Sequence, residues 1–92
     1  MKKIKIIRDK GTEIATIPID ENTKLTKISE DRLGLAFCSK TMIDIQTWDC
    51  IQIDEMKYYP IRCPEIGKIP GIFIYNIELS KVQTSKKGLL NH

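Results

Sequence analysis

Isoleucine fills seventeen of the 92 positions, against six leucines and one valine. A β-branched side chain keeps its favoured rotamers more easily on a pleated strand than against the preceding turn of a helix, so this bias points to sheet. The spacing agrees. Ile43, Ile45, Ile51 and Ile53 recur with a period of two, and Asp44, Gln46, Gln52 and Asp54 occupy the opposite positions. That alternation describes strands with one face on a core and the other in water. Apart from a weak trace after Leu79, apolar residues do not recur at helical spacing over three turns.

Turn signals divide the chain. Residues 2–19 read as a hairpin about Asp9, Lys10 and Gly11, with Gly11 able to take the positive φ of a short loop. On its return strand Ala15, Ile17 and Ile19 share a face, and Pro18 marks an edge or an end. Asp20–Thr23 is a loop, Lys24–Ile28 a short strand, Ser29–Asp31 a break and Leu33–Cys38 a further apolar strand. A second hairpin runs from Ile51–Ile53 through a turn at Asp54–Met56 to Lys57–Cys63, placing Tyr59, Ile61 and Cys63 inward. Pro64, Gly67, Pro70 and Gly71 give the stretch between Cys63 and Gly71 the composition of a loop. The closing strand, Gly71–Ser80, sets Phe73, Tyr75, Ile77 and Leu79 on one face, with Ile72 and Ile74 on the other. The expected fold is all-β: one small barrel or sandwich of six to seven short, mostly antiparallel strands over residues 1–80, followed by a basic tail or linker start over 81–92.

The length supports one core, because a chain this short buries only about two thirds of its unfolded surface. Its charge of +3 resides in the tail: residues 1–80 hold twelve Lys and Arg against twelve Asp and Glu, and Lys81, Lys86 and Lys87 supply the excess. A neutral body lacks the field that draws proteins onto phosphate backbones. Lys2, Lys3, Lys5, Arg8 and Lys10 cluster near the start, but they alternate with Ile as the wet face of a strand does. Cys38, Cys50 and Cys63 are odd in number and at least twelve residues apart, which writes neither a disulfide framework nor a CxxC site. With no secretory leader or long apolar run, the expectation is synthesis in a reducing cytosol, without membrane association.

Chemistry is hard to place on this sequence. Its single histidine, His92, is terminal, so no triad base is evident, and a structural zinc would need four ligands at chelating spacing. The glycines are scattered at turns and form no phosphate loop. Asp44, Asp49 and Asp54 flank the central strands and read as solvated strand-face or turn acids. No catalytic, cofactor or metal residues are therefore assigned. Among the aromatics, Tyr59, Phe73 and Tyr75 fall on faces read as inward, whereas Trp48 and Tyr58 lie opposite the isoleucine stripe and are the candidates for a protein interface.

The order of elements carries a resemblance. A hairpin ending near Ile14-Ala15-Thr16-Ile17-Pro18-Ile19 precedes the strand Arg32–Phe37. Then Trp48–Ile53 turns into Met56–Ile61, and a proline-containing loop leads to Phe73–Leu79. This order, over roughly residues 4–80, resembles the N-terminal domain of tail-tip or baseplate-hub proteins of phages and prophages of Bacteroides-like bacteria. Where that family has Gly before the Asp, this chain has Trp48, and its turn at Asp54–Met56 lacks the family's Gly. The resemblance implies a scaffold domain in an oligomeric, virion-associated ring, holding protein partners or copies of itself and performing no chemistry. The alternative to this reading is an OB- or SH3-like barrel binding nucleic acid through basic termini and exposed aromatics; a hydrolase built on the three aspartates stays open only because paired acids have no signature in sequence.

Overall fold

A computed structural model describes residues 3–9 and 11–83. The described residues are all-β, with eight strands among them: β1 (Lys3–Arg8), β2 (Thr12–Pro18), β3 (Lys24–Lys27), β4 (Arg32–Ser39), β5 (Cys50–Ile53), β6 (Met56–Pro60), β7 (Glu65–Ile69) and β8 (Ile72–Ser80). Every pairing is antiparallel, in the order β2-β1-β5-β6-β8-β4-β3, with β7 also lying against β8. Among the described residues the sheet does not close into a barrel. It bends at β6, which pairs β5 through Ile51↔Tyr58 and Ile53↔Met56, and β8 through Tyr59↔Ser80 and Pro60↔Leu79. Two wings result, β2-β1-β5 and β8-β4-β3.

Their inner faces share one core. Ile4, Ile6, Ile17, Ile51 and Ile53 come from one wing, and Leu35, Phe37, Tyr75, Ile77 and Leu79 from the other. Ladder register explains the grouping, since directly opposed residues of an antiparallel pair lie on the same face. Ile4 stands opposite Ile17 and Ile53, Ile6 opposite Ala15 and Ile51, and Phe37 opposite Tyr75. The Phe37 and Tyr75 rings stack with centroids 4.7 Å apart. The exposed Lys3 and Lys5 alternate with the buried Ile4 and Ile6, which is the wet strand face expected of them. A register shift between Ile6 and Ile7 gives β2 one extra residue, Ile14, and bends its outer edge.

Four expectations are corrected. Residues 65–69 form β7, not a loop, because Pro64 and Pro70 bracket that strand without interrupting it, and Gly71 at φ +82° makes the turn into β8. This raises the strand number among the described residues to eight. Ile43 and Ile45 belong to no strand, although Ile45 is buried as its period suggested. The second hairpin turns on Asp54, at φ +57°, and Glu55, leaving Met56 to pair with Ile53. That one-residue difference exchanges the faces: Tyr58 and Pro60 point to the core side, while Tyr59 lies on the other and Cys63 is exposed. Lastly, Asp49 is completely buried instead of solvated. The N-terminal Lys2, Lys10 and the tail from residue 84, with Lys86, Lys87 and His92, lie outside the described residues.

Candidate interaction surface

Between β4 and β5 the segment 40–49 has no ladder to satisfy its backbone, and side chains pin it instead. The Tyr75 hydroxyl accepts the Ile43 N–H at 2.6 Å and lies 3.5 Å from Met42 Sδ. Asp49, just before β5, accepts Arg8 Nε at 2.8 Å on Oδ1. Its Oδ2 accepts Arg8 Nη2 at 2.9 Å and the Gln46 N–H at 2.8 Å. Arg8 Nη2 also donates to the Asp44 carbonyl. The bidentate bond to Asp49 pushes the Arg8 pKa up, against the smaller opposing effect of burial. A carboxylate sealed from solvent and holding three donors is a clamp, with no face left for a substrate.

The remaining chemistry-bearing groups are dispersed. Burial pushes the Cys50 thiol up, and burial likewise raises the neighbouring Tyr59 phenol. Cys38 and Cys63 are exposed free thiols. Among the described residues no cluster of His, Cys, Asp or Glu could hold a metal ion, and no helix is long and apolar enough to cross a membrane. Asp44 and Asp54 are exposed, whereas Asp49 is buried. Of the two aromatic candidates, Trp48 is half-buried in the irregular segment, with its indole N–H buried and unbonded. Tyr58 packs against the core and lines a small surface cavity with Lys27, Leu33 and Lys81.

What the fold leaves open is its edges. Among the described residues, β2, β3 and β7 each have a strand on one side only. Beside β2 runs a cleft of about 530 Å³ lined by Ile14, Ile17, Cys38, Met42 and Ile43, where the wings fail to meet. All four residues of β3 are exposed, including Leu25 at 41%, and Ile28 just beyond is 52% exposed. On the outer face a groove of about 380 Å³ runs over Gly34 and Ala36 between Lys24 and Arg62. In it Glu78 sits 3.2 Å from Arg32 and 3.9 Å from Arg62. Sequence reasoning missed Arg8 with Asp49 and the β3 edge; the one available signal was a lone arginine continuing the stripe of β1. No family model, curated protein or solved structure matches this chain.

Proposed function

We propose that this chain is a non-catalytic assembly module, a tail-tip component of the phage or prophage kind, acting through protein–protein contacts along its sheet edges. The observation that carries this reading is the open sheet, whose terminal strands expose unpaired backbone and, at β3, uncovered leucine and isoleucine. An exposed edge is a template for another strand, and proteins that keep one either guard it or use it. A ring of subunits joined edge to edge, or each holding a neighbour's strand, would employ both ends of such a sheet. The spent hydrogen-bonding capacity of Asp49 and the dispersal of the other polar groups also favour a scaffold over an enzyme. The tail-tip assignment itself draws on the resemblance in element order.

Co-expression with the proteins encoded beside it, followed by size-exclusion chromatography with light scattering, tests the reading. A complex of fixed stoichiometry supports it; a strict monomer at high concentration that joins no partner overturns it. A second reading has one observation in its favour. Lys5, Gln52 and Lys57 stand side by side across β1, β5 and β6 on the outer face, with Lys3 two residues along, and this basic row suits a polyanion. Single-stranded oligonucleotides should then bind with an affinity that falls steeply with salt, and absence of binding at low salt removes this alternative.

A further inference from the structure

We propose that β3 is the docking edge for an extended, acidic segment of a partner protein, an inference that rests on the assembly reading and names the chemistry of what is held. Three observations converge on this strand. Its backbone pairs with β4 from Lys24↔Ala36 to Lys27↔Leu33, so alternate N–H and C=O groups point away from β4 toward an unoccupied edge. Leu25 stands opposite Leu35, yet Leu35 is 2% exposed and Leu25 41%, because cover ends where the sheet ends. Lys24 and Lys27 bound the strand, and neither has an ion pair among the described residues.

The charges choose the occupant. An antiparallel pairing of β3 with its own copy brings lysines opposite or diagonal to one another, which is destabilising, so the lysines guard this edge against self-association. A strand with acids opposite Lys24 and Lys27 turns the same charges into cross-strand pairs. Such a segment, read in its own direction, is acid, any residue, apolar, acid, with the apolar side chain covering Leu25 on the core side. The other open edges are less suited: β2 carries the extra residue Ile14 and ends in Pro18, two devices that interrupt pairing, and β7 lies between Pro64 and Pro70, carries an acid of its own in Glu65, and has its one lysine, Lys68, over the Phe73 ring.

The probe is the capped peptide Gly-Ser-Glu-Thr-Ile-Glu-Ser-Gly, titrated to about 5 mM into isotope-labelled full chain and followed by amide shifts, a range that registers millimolar binding. A counterpart peptide carries Lys for both Glu, and the K24E/K27E chain, whose spectrum reports its folding, is titrated with both. The expected shifts fall on Lys24–Ile28 and Leu33–Ala36, weaken about tenfold on reversal of either set of charges, and return when both sets are reversed. Shifts elsewhere, equal binding of both peptides, or none at the highest concentration overturn the proposal. Its failure is distinguishable from that of the assembly reading. If wild-type and K24E/K27E chains enter a partner complex equally, assembly stands and the β3 edge falls; if the acidic peptide docks on β3 but the chain joins no complex, the β3 edge stands and assembly falls.

Discussion

Replacing Arg8 by Met should cost this domain much of its stability. Asp49 is fully buried, the arginine side chain 24% exposed, and three of the donors described above converge on one carboxylate. Removal of Arg8 leaves that charge with the Gln46 N–H alone, and stripping the partner from a buried ion costs about 3–5 kcal/mol. A domain of this size has about 5–10 kcal/mol to lose. At roughly 4–8 °C per kcal/mol, the lower figure already lowers Tm by about 12–24 °C. Arg32→Met is the control, because the Arg32–Glu78 pair is exposed and such pairs contribute about 0–1 kcal/mol. Unfolding is followed by circular dichroism and by the fluorescence of Trp48, the sole tryptophan and the neighbour of Asp49. The double variant R8M/D49N should recover most of the loss, since the charge is gone and an amide oxygen still accepts from Gln46. If R8M and R32M cost the same, or the double variant is no better than R8M, the clamp is not what holds segment 40–49.

Tyr75→Phe keeps the stack on Phe37 but removes the acceptor of the Ile43 N–H, so about 1–2 kcal/mol should be lost in urea titration and the Ile43 amide should exchange faster; an unchanged amide refutes that bond. Because burial raises the Cys50 thiol, it should react with a disulfide reagent more slowly than the exposed Cys38 and Cys63, and equal rates would contradict its placement. The same shifts set an alkaline limb. Cys50 and Tyr59 are held protonated by the fold, so their contribution is complete below the unfolded values, about 8.5 for a thiol and 10 for a phenol, and is lost as pH rises through the higher folded values. Cys50→Ala should flatten the start of that decline, and an identical pH profile would count against it. Gly71→Ala places a Cβ at φ +82° in open space, so the cost is backbone strain of about 1–2 kcal/mol, and a neutral result would mean another turn.

The legible parts of this fold were those carried by local pattern. Alternation along β1, β5 and β8 marks Ile4, Ile6, Ile51, Ile53, Tyr75, Ile77 and Leu79 as core, and all are buried. The faces of β6 were not legible, because they depend on whether the preceding turn spends two residues or three, and Asp54 supplies by its own positive φ what a glycine would have announced. β7 was hidden by composition, since Pro64, Gly67 and Pro70 look like punctuation until β8 is beside them to receive the strand. Asp49 could not be read as buried because its partner is 41 positions away, and a carboxylate before a strand looks the same whether it faces water or an arginine. The unpaired edges escaped for the same reason: which strands end a sheet is a matter of long-range pairing, not of local sequence.

The central claim, that this open sheet is an assembly module, is tested most directly by hydrogen exchange on the full chain, alone and co-expressed with the proteins encoded beside it. The account predicts that the β3 amides facing away from β4 exchange rapidly in the free chain and become protected in a complex of fixed stoichiometry, while the buried strands β1 and β8 change little. Protection of those outward amides in the isolated monomer, or identical exchange with and without every partner, would contradict it.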